Sequence, residues 1–244
     1  MELTPELQDT ARLPVILFFA VPEEARPFVR RWMHRVGTRV RSFRGPGLAA
    51  WELDGVEVHV TGMGAANAGR VGDAVLGAPC RFSALVTAGF AGGLNPSLQC
   101  GDVVFDVDPS HPMGRQLAGA GARPGRFVEV SRVAVTPEDK AHLWAGSGAD
   151  AVEMESSTLR KLAGRRGLSA TTLRVISDAA SDTLPLDFNA LMTADQRLDL
   201  LRLTWRLARS PASIPRLMKF HRTLRTAADA LARVLVDTLG SRRP

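Results

Sequence analysis

The run Leu13-Pro14-Val15-Ile16-Leu17-Phe18-Phe19-Ala20-Val21-Pro22-Glu23-Glu24 decides the fold. Its apolar part is unbroken and short, which suits a central strand buried on both faces. Pro22 and two acids follow at once. A first helical turn has unpaired amides and a positive dipole end, so this composition starts a helix, expected to reach about His34. A buried strand that feeds directly into a helix is the unit of an α/β sheet.

The same alternation continues along the chain. Short strands are expected at Thr38 to Phe43 and Leu48 to Leu53, and the turn Asp54-Gly55 leads into the strand Val56 to Val60. Thr61-Gly62-Met63-Gly64 ends that strand and opens a small-residue helix to about Leu76. Strands follow at Ala84 to Thr87 and Gly101 to Phe105. The Gly-, Pro- and Ala-rich stretch Pro109 to Gly125 shows little periodicity and is expected to be a loop. Asp150 to Met154 reads as a strand end, Glu155 to Arg165 as a helix and Ala170 to Ile176 as a strand. The chain from about Thr193 to Leu239 reads as helix. The expected fold is α/β: a single domain over 1–244 with a mixed central sheet flanked by helices. Its core spans 13–190, and 191–244 forms a C-terminal helical extension.

Composition narrows the function. The chain has 244 residues, 45% hydrophobic and 23% charged, within the ordinary globular range, which excludes disordered and fibrous classes. Cys80 and Cys100 are too few for a disulfide scaffold. The apolar stretch Val15 to Val21 is too short to span a bilayer, and Glu2, Glu6 and Asp9 precede it where a secretory signal would be basic. The expected location is cytoplasmic. The net charge of +6 comes almost wholly from arginine. Tyrosine is absent and aromatics are scarce, which argues against single-stranded nucleic acid as a partner.

Five segments at strand ends carry chemistry. Glu24 stands just past the first strand, where a carboxylate can face a pocket as a general base or simply complement the helix dipole. Gly64 belongs to a glycine turn whose amides can approach a ligand, a feature that many α/β units share. Gly89 and Phe90 lie in Ala88-Gly89-Phe90-Ala91-Gly92-Gly93, a floor for a ring or a close helix–sheet crossing. Glu153, Met154 and Glu155 place two carboxylates around a methionine. Strand alternation would put both acids on one side and Met154 on the other, and a carboxylate there can take both hydroxyls of a ribose or cap a helix. Arg174-Val175-Ile176-Ser177-Asp178 ends an apolar strand in a Ser-Asp pair, suited to proton exchange with a heterocycle or to capping. The five histidines show no ligand spacing, so no metal and no cofactor is expected.

In this order, these segments resemble the purine nucleoside phosphorylase superfamily, and most of all its methylthioadenosine/S-adenosylhomocysteine nucleosidase branch. The likeness runs from about Val15 to Phe188. Ala151-Val152-Glu153-Met154-Glu155 and Arg174-Val175-Ile176-Ser177-Asp178 carry it most specifically. The resemblance implies that Glu24 activates water, Met154 and Glu155 hold the ribose, and Asp178 protonates the purine N7. It further implies that Arg174 arranges the water or phosphate site and that Phe188 lines the base or 5′ pocket. It implies a small-molecule nucleoside substrate, release of adenine, a homodimer and a part in methionine salvage. Glu24 stands where phosphorylases of the superfamily carry an arginine, and a carboxylate there repels phosphate, so hydrolysis is expected over phosphorolysis. Phe90 departs from the small serine often found in nucleosidases, and Val21 from the usual methionine.

The stretch 197–225 interleaves leucines with Arg197, Arg202, Arg206, Arg209, Arg216, Lys219, Arg222 and Arg225. It suits a core-packing helix pair with a solvated basic face, or a peripheral contact with an anionic membrane. The latter would fit a related subgroup that acts on adenosylhopane, as nucleosidase or phosphorylase, in hopanoid synthesis. A non-catalytic nucleoside-binding module is a reading of a different class.

Overall fold

The computed structural model describes residues 13–37, 39–77, 80–108, 111–191, 193 and 214–240. The first strand, β1 (Val15–Phe19), is buried along its whole length. Its continuous apolar run is explained by neighbours on both edges and cover on both faces. It pairs in parallel with β4 (Val56–Val60) and with β5 (Ala84–Gly93). The antiparallel strands β3 (Ala49–Leu53) and β2 (Arg41–Phe43) extend the β4 edge. On the other side β5 pairs in parallel with β10 (Ser169–Asp178), and β10 pairs antiparallel with β6 (Val103–Asp106), which carries β7 (Arg123–Pro124).

β5 and β10 outrun β1. Beyond the end of β1, the far half of β5 takes a new neighbour: Gly92 and Gly93 pair with Val152 and Ala151 of β9 (Ala151–Glu153), and β9 pairs with β8 (Phe127–Glu129). The sheet opens there, and ligands of α/β folds gather at such openings beyond the strand ends.

Helices cover both faces. On one side α1 (Pro22–Val36) packs against α6 (Ile214–Leu239), and Phe28 and Trp32 join Ala227, Leu231 and Leu235 in the main core. On the other, α2 (Ala65–Val75) crosses α5 (Ser156–Arg165), with Val71, Leu159 and Leu162 around Ile16 and Phe18. The end of α6 is thus buried in the principal core and is no peripheral appendage. Residues 197–213, including Arg197, Arg202, Arg206 and Arg209, lie outside the described residues. Among the described residues no helix is long and apolar enough to cross a membrane.

One expectation fails. The stretch Pro109 to Gly125 is not an unstructured loop: it contains α3 (Pro112–Gly119) and β7. The stretch is rich in Gly and Pro, but the helix gathers the helix formers Met113, Arg115, Gln116, Leu117 and Ala118; His111 caps it by accepting from the Met113 amide, Pro112 occupies the first turn, and Met113 and Leu117 are buried. Capping and tertiary burial together outweigh the interrupting glycines. α4 (Pro137–Ser147) likewise escaped the sequence reading; its capping box joins Thr136 to Asp139.

The burial of α6 makes a direct prediction. Leu231 is fully buried in the main core. Leu231→Ala should destabilise the whole domain by about 2–5 kcal/mol in a chemical-denaturation experiment. A loss below about 1 kcal/mol would mean that α6 is only loosely attached.

Candidate active site

A cavity of about 610 Å³ opens where β1, β5, β9 and β10 end. Each of its functional groups is placed by a local rule of the chain. Glu24 occupies the first turn of α1. Its Oε2 accepts from the amides of Ala20 and Val21, at 2.9 and 3.0 Å, and its Oε1 from that of Phe90, at 2.8 Å. Glu24 thus ties off a helix start, bridges to β5 and lines the cavity. Gly89 does not line the cavity. It lies beneath this carboxylate, and a Cβ there would come within 2.6 Å of Oε1, so glycine is required by close approach.

Glu153 ends β9. Its Oε2 takes the amides of Glu155 and Ser156 and a 2.6 Å bond from Arg174, and its Oε1 takes the Ser156 hydroxyl. The strand stops at Glu153, so the alternation expected through Met154 breaks. Glu153, Met154 and Glu155 all line the cavity because the chain turns into α5 at Glu155. Glu155 reaches across to the glycine turn, where Gly64, at φ 83°, aims its amide at Oε1 (2.7 Å). Gly64 thus holds a carboxylate and does not itself line the cavity.

Arg174 is 2% exposed and stands behind the wall. Besides Glu153 it donates to the Thr87 hydroxyl at 3.0 Å and lies 3.7 Å from Glu155 Oε2. At the end of β10 the register shifts between Ile176 and Asp178. A strand in regular alternation would turn one of Ser177 and Asp178 away, whereas the irregularity lets both line the cavity. The Ser177 hydroxyl lies against Asp178 Oδ1, and the Nζ of Lys140, from α4, is 2.6 Å from Oδ2. Lys140 was not picked out from sequence. Most of the remaining wall is apolar: Met63, Val130, Val133, Leu184, Phe188, Phe220 and Leu224 line it, with Phe90 beside Glu24, and Glu23, Thr61 and Asn67 add polar groups. Phe188 and Phe220 face each other at 6.1 Å between ring centres.

Electrostatics divide the carboxylates. Burial raises the pKa of Glu24 despite its three amide bonds and the nearby Arg174. Burial pushes Glu155 up to about 7, against the opposing pull of Arg174. Burial acts the same way on Glu153, but the Arg174 charge and the Ser156 and Glu155 bonds outweigh it and hold its pKa below the ordinary value. Two of these buried carboxyls therefore bind protons more readily than in water, and one less readily. Glu155 takes up a proton in the folded chain at a pH where the unfolded chain has lost it, so its contribution to stability is lost as pH rises from about 4.5 to about 7. Glu155→Gln should flatten this part of the stability profile in urea titrations between pH 5 and 8. An unchanged slope would contradict the assignment.

Comparisons with known proteins agree on the architecture. A family model described as the phosphorylase superfamily matches residues 115–209, which include Glu153, Glu155, Arg174 and Asp178. No curated protein sequence matches. Among solved structures, the chain is similar to futalosine hydrolase of Helicobacter pylori, with a TM-score of 0.69, 16% identity and coverage of 94% of this chain and 98% of that one. It is similar also to the 5′-methylthioadenosine/S-adenosylhomocysteine nucleosidase of Campylobacter jejuni, with a TM-score of 0.67, 14% identity and coverage of 93% and 98%. The Neisseria meningitidis nucleosidase of the same kind, in complex with methylthio-immucillin-A, gives a TM-score of 0.65, 20% identity and coverage of 93% and 99%. The chain therefore has the nucleoside phosphorylase-like fold that these nucleosidases share, and 115–209, the segment holding its two most specific motifs, matches the phosphorylase superfamily.

Proposed function

We propose that the chain is a purine nucleosidase that hydrolyses the N-glycosidic bond of an adenosine-type nucleoside, in the manner of the methylthioadenosine/S-adenosylhomocysteine nucleosidases it resembles. One observation carries the choice of water over phosphate. Five carboxylate side chains, Glu23, Glu24, Glu153, Glu155 and Asp178, are among the described residues lining the cavity, and none of those residues is basic. The buried cation nearest the sugar end, Arg174, is taken up by Glu153, Glu155 and Thr87. A phosphate dianion would find no uncommitted cation among these lining residues, and every carboxyl that is ionised would repel it in a medium of low dielectric, whereas a neutral water meets hydrogen-bond acceptors.

The geometry supports the following roles. Glu24 is buried, has a raised proton affinity and is held rigidly by three amides, which suits a base that takes a proton from water attacking C1′. The Oε2 of Glu155, with Oε1 already on the Gly64 amide, accepts from ribose hydroxyls, and Met154 packs against the sugar. Positive charge building on the ribose is stabilised by these carboxylates, as in glycoside hydrolysis. At the base end, Asp178 in its protonated form passes its proton to a purine nitrogen as the C1′–N bond breaks; the bond's electron pair stays with the base and Asp178 is left as a carboxylate. Ser177 and Phe90 border the base. Phe188, Phe220, Leu184 and Leu224 suit an apolar 5′ substituent. The same reading includes a homodimer in the cytoplasm that takes part in methionine salvage and needs no cofactor.

The test is release of free base from methylthioadenosine, S-adenosylhomocysteine, adenosine, inosine and futalosine, with and without phosphate, measured by chromatography. Adenine should appear without phosphate, fastest from the substrate with the small apolar 5′ group. Glu24→Gln and Asp178→Asn should each lower kcat by roughly 10²–10⁴-fold. Release only in the presence of phosphate would make the chain a phosphorylase. Binding without any release would make it a nucleoside-binding module.

A further inference from the structure

Lys140 is the largest unexplained charge in the molecule. It lies in the first turn of α4, outside the motifs at the strand ends, and its side chain is 0% exposed. A buried ammonium is costly unless all three of its protons find partners. Here Nζ donates to the main-chain oxygens of Ala179 and Asp182, at 2.7 and 2.9 Å, and approaches Asp178 Oδ2 at 2.6 Å. The three partners fall within five residues of chain, at the point where β10 leaves the sheet and enters the cavity wall. Asp182 closes the same turn by accepting the Ala179 amide, at 2.8 Å.

This arrangement exceeds what packing requires. Any apolar side chain could fill the space under the turn, but only a cation can meet a carboxylate oxygen and two carbonyl oxygens together. Its contact with Asp178 is an ion contact and not an aligned hydrogen bond: Oδ2 has no hydrogen bond among the described residues. The other oxygen, Oδ1, meets the Ser177 hydroxyl. Lys140 and Ser177 therefore hold the carboxyl by opposite oxygens and fix its rotation, and the Lys140 charge compensates the carboxylate that remains once the proton has gone to the base. The carboxyl is 6% exposed and lines the cavity.

We propose that Lys140 is a positioning residue for Asp178, so that the unit which handles the proton of the leaving base is a lysine–aspartate pair. This rests on the nucleosidase reading above and deepens it. Lys140 itself does not touch the substrate. It acts by holding Asp178 and the 179–182 turn where a purine nitrogen can exchange a proton with the carboxyl.

The test compares two leaving groups on one sugar. Adenine needs a proton to leave well; 4-nitrophenolate does not. Wild type and Lys140→Met are assayed with adenosine, or the best nucleoside found, and with 4-nitrophenyl β-ribofuranoside. The ratio of base release to nitrophenol release should fall at least about tenfold in Lys140→Met, through kcat and with KM held within about threefold. The double variant Lys140→Met/Asp178→Asn should release base no more slowly than Asp178→Asn alone, because Lys140 acts through Asp178. Equal loss on both substrates, or losses that multiply in the double variant, would overturn the proposal and leave Lys140 a structural residue. If wild type releases neither product, the nucleosidase reading fails and takes this proposal with it.

Discussion

The arrangement of the site depends on the buried guanidinium of Arg174. It is one of the largest fully buried side chains among the described residues, and besides the Leu173 carbonyl of its own strand its hydrogen-bond and ion-pair partners come from three other places: Thr87 on β5, Glu153 at the end of β9 and Glu155 at the start of α5. Without it, two carboxylates within two residues of each other would face a low-dielectric interior with only neutral amide and hydroxyl donors to offset their repulsion. With it, Glu153 becomes a fixed anion that caps α5, and Glu155 is left beside it as a carboxyl with a pKa of about 7. The cation lowers the proton affinity of both acids, and burial outweighs it at Glu155 but not at Glu153.

That use of Arg174 also shapes what the cavity can accept. An arginine free to reach the cavity would welcome an anion. This one is engaged from behind, and the cavity surface is left acidic. Lys140 repeats the pattern at the opposite end: its charge is absorbed by Asp178 and two carbonyl oxygens before it reaches the cavity. Both buried cations support carboxylates and neither is presented to a ligand. The apolar remainder of the wall comes partly from α6, whose far end is locked in the core while Phe220 and Leu224 border the cavity. Stability and the shape of the site are coupled through that helix.

Much of this was legible in the sequence, because strand ends are punctuated. The run Val15–Phe19 announced a central strand, and Glu24, Phe90, Glu153, Glu155 and Asp178 stood at or near strand ends, where the fold brings them together. What local reading missed has physical reasons. Helix α3 forms inside a Gly- and Pro-rich stretch because Met113 and Leu117 find burial, which no local window shows. Met154 joins the acids on the cavity wall because the strand stops one residue earlier than alternation assumes. Lys140 sits in a helix whose sequence shows little amphipathic pattern, and nothing near it in the chain signals that its partners lie about forty residues away. Being one of only three lysines in an arginine-rich chain was its single distinguishing mark.

The central claim is that an acidic cavity with its cations engaged from behind delivers water and not phosphate to C1′. Phosphorus NMR of the reaction in phosphate buffer tests it most directly, because the sugar product reports the nucleophile. The account predicts that inorganic phosphate stays the only phosphorus signal while free base and free sugar accumulate in equal amounts. A growing sugar 1-phosphate signal, matched to the base released, would contradict it.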